Sequence, residues 1–440
     1  MQRVLLAGRG ELTRRLIRSL RERGVESVVV FSEPEVEQPW VDEADYAVYL
    51  NGSTVEETYL DGQKIVSAAH DSGAATIHPG YCFLAERADF VAQANGANLR
   101  VIGLDREELE RIADRFLVRQ VAAAIGVPTI PAIAVPEGED GLEQAAGMDL
   151  PLYVKAVAGG VILRVDHYDE LPMAVREVRR RARWLTGTDD VYISAGLANV
   201  RQLGTTVVRE PGDRAYALGH SDKSVQVRFR SWMEECGNEV VAPEVGKRMA
   251  EGARKLVEAL DLGGVVRVRW AVDKGGGYWL LGVSGRLTTG YSLVEEVFGV
   301  DLIDVQLRLA EGEPLAWEGA DTTATRHGVQ LRLLHVDPRD GVSRPDGVLE
   351  RLELPDMAKV EVGVAVGQLC TAETEPLIAS IVVTAPTRQS ALVKARAALE
   401  DVVVEGLVTN LEVLKRVVAA PQFWKGAYDV HVVDDFLVDD

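Results

Sequence analysis

A chain of 440 residues with 47% hydrophobic side chains has enough apolar surface for two to four packed domains. Its 68 acidic against 48 basic residues give a formal net charge of −20, which argues against non-specific nucleic-acid binding and against an anionic membrane surface. No apolar run approaches the roughly 18 residues a membrane span needs. The three cysteines (Cys82, Cys236, Cys370) have no metal-type spacing and leave an odd thiol, so a reducing cytoplasm is the expected compartment.

The N-terminus runs directly into a strand pattern, with no charged-then-apolar signal region. Residues 3–7 (RVLLA) form a buried-strand run ended by Gly8-Arg9-Gly10. Residues 11–23 place Leu12, Leu16, Ile17 and Leu20 on one helical face, and residues 26–31 (ESVVVF) form a second strand run. This alternation predicts a doubly wound α/β unit. A glycine turn before a helix can hold a phosphate, although plain strand-to-helix geometry explains this one more simply. Strand 44–49, helix 59–69 and strand 75–77 continue the alternation. The next stretch, residues 78–86 (HPGYCFLAE), combines a Pro-Gly turn with a helix expected to start at Phe83 and Leu84. Residues 127–131 (VPTIP) form a proline-marked linker, residues 136–148 are turn-rich and acidic, and strand alternation resumes over 200–208. Val266, Val268 and Trp270 alternate with Arg267 and Arg269, Asp273-Lys274-Gly275-Gly276-Gly277 makes a turn, and residues 278–283 return as a second strand. Polar loop 284–291 follows, and residues 385–400 read as an amphipathic helix.

Several of these segments resemble biotin carboxylases. Residues 78–86 resemble the HPGYGFLSE motif, with Cys82 for Gly and Ala85 for Ser, and Arg9-Gly10-Glu11 resembles the opening RGE. Residues 113–131, 152–156 (LYVKA), 299–302 (GVDL), 329–338 (VQLRLLHVDP, against "vecRInaEdP") and 405–414 (EGLVTNLEVL) resemble later family segments in the same order. The resemblance implies a mixed α/β and α+β, three-lobed ATP-grasp fold. Its lobes would be an N-terminal doubly wound domain (1–115), a lid with its linker (116–205) and a C-terminal lobe (206–440). It also implies oligomers and partners: an intact biotin carboxylase paralogue, a biotin carrier protein and carboxyltransferase chains. With no Met-Lys-Met biotinyl tripeptide, biotin would enter through a partner chain.

The family's chemistry does not carry over residue by residue. After Lys155 the family has a glycine-rich phosphate flap; here residues 156–163 (AVAGGVIL) are shorter and include β-branched Val161 and Ile162, which predicts a tight apolar hairpin. Family adenine-side and ribose-side groups align with Ser194, Ala195 and Gln202, the loop histidine with Phe229, and the phosphate-gripping lysine with Ser231. The two metal glutamates align with Arg269 and Gly282, the asparagine with Ser284, and the base that acts on bicarbonate with Gly290. Mg²⁺ against phosphates requires oxygen ligands. The expectation is therefore no metal site, no use of ATP and Mg²⁺, and at most remnant catalytic residues, Arg286 and Lys359. Arg115, Lys155, Arg269 and Arg286 are the candidate ligand-binding residues. The expected role is a catalytically inactive, structural or regulatory subunit of a multisubunit acyl-CoA or oxo-acid carboxylase. The alternative is a ligand-sensing or altered-chemistry ATP-grasp protein that binds an anion or nucleotide without metal. Glu295 or Asp273 could instead neutralise the cationic cleft.

Overall fold

The structure is a computed structural model that describes residues 1–81, 83–136, 140–157, 161–186, 188–197, 199–315, 324–342 and 344–437. Residue 82 and the centre of the 156–163 segment thus lie outside the described residues.

The N-terminal sheet has five parallel strands in the order Tyr46–Tyr49, Glu26–Phe31, Arg3–Leu6, Thr76–His78, Arg100–Val101. Both faces are covered, as parallel sheets require. Val4, Leu6 and Val29 pack on the predicted stripe Leu12, Leu16, Ile17 and Leu20 of helix Gly10–Glu22, while Leu5, Val28 and Val30 pack on Ile65 and Phe90. The helix expected over 59–69 spans Gly62–Asp71, because the Asp61 carboxylate accepts from Gln63 and Lys64 N–H and caps it there. No helix starts at Phe83. The His78 imidazole accepts the Gly80 N–H at 3.0 Å, Phe83 has φ +52°, and the helix begins at Ala88.

Glu11, from the Arg-Gly-Glu motif, is buried beneath the Tyr291 and Tyr81 hydroxyls, which donate to it at 2.9 and 3.4 Å. Burial raises its pKa from 4.5 to about 8, with Glu361 and Glu375 adding repulsion. The unfolded chain ionises this group near pH 4.5 and the folded chain does not, so the group makes stability fall as pH rises from about 4.5 to 8. Glu11→Gln should therefore raise the urea midpoint at pH 8, with the gain shrinking towards pH 4.5. An equal or lower midpoint at pH 8 would show that the carboxylate is ionised in place.

The second unit is a four-stranded antiparallel sheet, Ala132–Val135, Val191–Ala195, Leu152–Ala156, Ile162–Val165. Helix Leu171–Thr186 covers it, setting Val175 and Val178 against Val154 and Ile193. Lys155 pairs with Ile162, and the Ala156 N–H donates to the Val161 carbonyl at 3.1 Å. The strands are therefore already joined where a long flap would begin. Helix Asp140–Ala145 lies within the stretch read as turns.

Strand Arg201–Arg209 is the third member of an eight-stranded sheet, and position 205 lies within it. The eight strands run Tyr278–Ser284, Gly264–Val272, Arg201–Arg209, Ala215–Asp222, Met233–Cys236, His327–Leu334, Leu377–Ala385, Lys359–Val362. Helix Arg388–Glu400 packs Leu392, Ala395 and Leu399 into the core beside the last strands, the face its periodicity predicted. No helix among the described residues is long and apolar enough to cross a membrane.

Candidate ligand cleft

The hairpin Gly264–Val272 and Tyr278–Ser284 forms the edge of the large sheet. Asp273 N–H bonds the Gly277 carbonyl at 2.9 Å, and Gly276 takes φ +81°, which the glycine-rich turn permits. Val266, Val268 and Trp270 enter the core with Met249 and Leu256 of helix Pro243–Ala259. Alternation then sends Arg267 and Arg269 to the opposite face. There they line a cavity of about 590 Å³ together with Lys223, Glu234, Arg286 and Arg332.

Glu234 is the centre of a buried ion triad. One carboxylate oxygen meets Arg267 Nη2 and the Ser221 hydroxyl; the other lies 2.7 Å from Arg332 Nη2. Burial alone would raise its pKa, but Arg267 and Arg332 prevail and hold it at about 2. A Cβ at Gly290 would lie 2.6 and 2.7 Å from the Glu234 carboxylate oxygens. The space a side chain would need at the family's base position is therefore filled. A carboxylate does stand in this cleft, contrary to the reading of the hairpin alone, but two arginines hold it ionised and it is a poor proton acceptor.

Arg269 stands over Gly282. The two are register partners, and a Cβ at Gly282, with φ +153°, would lie 2.9 Å from Arg269 Nη2. Among the described residues Arg269 has no ion pair, and its Nε is buried without a hydrogen-bond partner. Burial, then neighbouring Arg115, pulls its pKa down to about 10, so it stays charged at neutral pH. Lys223, just past strand Ala215–Asp222, also has no carboxylate within ion-pair distance among the described residues. Burial first, then Arg267 and Arg269, lowers its pKa to about 7.

The expected ligand residues fall in three adjoining cavities. Arg115, first residue of helix Arg115–Ala124, shares a small cavity of about 100 Å³ with Arg269, Arg119 and Tyr192. Arg269 and Arg286 share the large one. Arg286 is held by Glu86 at 2.8 Å and by the Tyr81 carbonyl at 2.5 Å, both from the 78–86 motif. Lys155 lines a third cavity, about 400 Å³, with Ala195, Gln202 and Phe229. Its Nζ lies 5.4 Å from the centre of the Tyr153 ring, and burial, then Arg119 and Arg115, lowers its pKa to about 8. Ser194 is buried with its hydroxyl unpartnered.

Lys359 does not line the cavity with Arg286. It sits on the far edge strand of the large sheet, 3.1 Å from Glu296 and 3.6 Å from Glu295. The cation present instead is Arg332, which matches the arginine of the pattern "vecRInaEdP". Glu295 is thus committed to Lys359, and Asp273 to the turn, where it accepts the Gly277 N–H; neither neutralises the cleft. Lys223 and Glu234 escaped the sequence reading. Nothing about a lone lysine after Asp222 marks it as facing residues 269 and 332 across the sheet.

Among the described residues no group of three or more His, Cys, Asp or Glu side chains could hold a metal ion. The positions expected to supply oxygen ligands supply a guanidinium and a glycine, so the residues present do not fit Mg²⁺.

A doubly wound domain, a small lid sheet and a large antiparallel sheet around a cleft define an ATP-grasp protein, and residues 114–318 match the family described as carbamoyl-phosphate synthase L chain, ATP binding domain. Residues 1–109 and 330–435 match the biotin carboxylase N-terminal and C-terminal domains. The chain is 31% identical to a biotin-dependent acyl-coenzyme A carboxylase alpha3 subunit of Mycobacterium leprae, over 95% of this chain and 71% of that one. It therefore belongs to the biotin carboxylase family. The biotin carboxylase domain of 2-oxoglutarate carboxylase from Hydrogenobacter thermophilus, a dimer solved with MgADP, ADP and bicarbonate, superposes with a TM-score of 0.93 at 26% identity, covering 100% of this chain and 99% of that one. A urea amidolyase of Lachancea kluyveri is 29% identical over 98% of this chain, which spans 24% of that relative's length.

Proposed function

We propose that this chain is a biotin carboxylase-fold subunit that serves a biotin-dependent carboxylase through its surfaces and does not itself carboxylate biotin. The observation that carries this reading is the coupled exchange at the hairpin. Arg269 aligns with one of the family's metal carboxylates, and its guanidinium fills the space where a side chain at 282 would begin. The exchange at Gly290 has the same form, with Glu234 filling the space. Two substitutions that each accommodate a neighbouring ion are a settled repacking of the site. The three-lobed fold is intact around them, which suits a chain kept for its contacts.

The expected partners are an intact biotin carboxylase, a biotin carrier chain and carboxyltransferase chains, in a cytoplasmic oligomer. Purification from the native host should bring down at least one such chain, identified by mass spectrometry. Sedimentation of the recombinant mixture should then show a species heavier than any component. A chain that purifies alone and sediments as a monomer in every mixture would overturn the reading.

A further inference from the structure

In the large cavity Arg267 and Arg332 share Glu234, Arg286 has Glu86, and Arg9 has Glu35 and Glu375 at 3.2 and 3.4 Å. Lys223 and Arg269 line the same wall with no carboxylate within ion-pair distance among the described residues, although Glu234 and Glu86 act on them from further away. Arg267 and Arg269 lower the affinity of Lys223 for its proton, as cations facing one space do. A buried guanidinium nitrogen without an acceptor is costly, and the cavity offers room for one.

We propose that Lys223 and Arg269 form a metal-independent site for a phosphate-type oxyanion. This rests on the reading above that the cleft uses no Mg²⁺. The chemistry suits the residues. A guanidinium gives a planar fork of donors to oxyanions, and an ammonium adds a point charge. In place of carboxylates bridged to phosphate by a cation, cationic side chains meet the phosphate directly. Arg269 also lines the small cavity with Arg115, which in turn is close enough to Lys155 to lower that lysine's pKa. The phosphate source is therefore either free inorganic phosphate or the terminal group of a nucleotide whose base lies towards Lys155, Gln202 and Phe229.

Calorimetry of the full chain in EDTA, with inorganic phosphate, ATP and adenosine as separate probes, tests the proposal. ATP, phosphate or both should bind without metal. ATP tighter than phosphate by tenfold or more identifies the nucleotide as the source, and equal affinities identify free phosphate. Lys223→Gln and Arg269→Gln should each weaken the binding at least tenfold, with Arg269→Lys intermediate. The melting temperature of each variant establishes that it is folded, and Lys223→Gln carries the test if Arg269→Gln is not. Relative to Lys223→Arg, the affinity of the wild-type chain should fall as pH rises from 6 to 8.5, since Lys223, facing Arg267, Arg269, Arg332 and Glu234, loses its charge over that range while the ionisation of the phosphate itself is common to both proteins. No binding in EDTA, binding that requires Mg²⁺, or binding that neither variant weakens would overturn the proposal. Absence of metal-free binding would leave the partner assay untouched, and a chain with no partners would leave the calorimetry untouched, so the two failures are distinguishable.

Discussion

Supplied with MgATP, bicarbonate and biotin, the purified protein should release phosphate no faster than a no-protein control, while an intact family member assayed alongside turns over. Phosphoryl transfer relies on positioning and on charge stabilisation by the metal and its neighbours. The resemblance sets Arg269 and Gly282 against the family's metal carboxylates and Gly290 against its base. Loss of a general base by itself costs roughly 10²–10⁴-fold, and loss of metal positioning compounds it beyond detection. The geometry also predicts that reversal by parts fails. Gly282→Glu alone would drive its Cβ against the Arg269 guanidinium. Arg269→Glu with Gly282→Glu would recreate oxygen ligands for Mg²⁺ but leave position 290 without a base, so metal affinity should return without biotin-dependent turnover. Steady, biotin-dependent phosphate release by the unaltered chain, from material free of active paralogues, would sink the claim of inactivity.

Glu234→Gln should be among the most destabilising single changes in the chain, by about 3–5 kcal/mol, because removing one partner of a buried ion pair leaves charge uncompensated. Two such charges remain here, Arg267 and Arg332, aimed at one site. The folded pKa of Glu234 is depressed from 4.5 to about 2. Its contribution is therefore complete above pH 4.5 and is lost as pH falls from there towards 2. Urea unfolding of the wild-type chain should weaken steeply across that window, and Glu234→Gln should flatten part of the slope. Glu235 contributes another part, likewise held at about 2 by His327 and Arg388 against the burial that raises it. A variant within 1 kcal/mol of the wild type, with an unchanged pH slope, would show that the triad contributes nothing net, as replacement of some buried ion pairs does.

Most of the architecture was legible along the chain, because its signals are local. The period-2 run over 264–272, the glycine turn at 273–277 and the stripe on Gly10–Glu22 each encode which side of an element is apolar, and burial follows from that. Helix limits were less legible where a cap decided them, as at Asp61, and the 83–84 helix was misread because Phe83 adopts a left-handed turn conformation stabilised by its surroundings. Sheet membership is less legible: strand Arg201–Arg209, which contains position 205, pairs with Gly264–Val272, and that partner lies far along the chain.

The site divides in the same way. The amino-acid sequence by itself determined the residues at 269, 282 and 290, where the resemblance implies family carboxylates, since residue identity needs no coordinates. Tertiary structure alone decided what replaced them. Arg269 lies over Gly282 because antiparallel pairing brings those backbones within a side chain's reach, and Glu234 fills the space beside Gly290 where the start of helix Tyr291–Phe298 meets strand Met233–Cys236. Lys223 joins Arg269 in one cavity, and Lys359 is carried to the far edge of the sheet, through strand order. Charge partnership is a property of distance through space, and separation along the chain carries almost none of it.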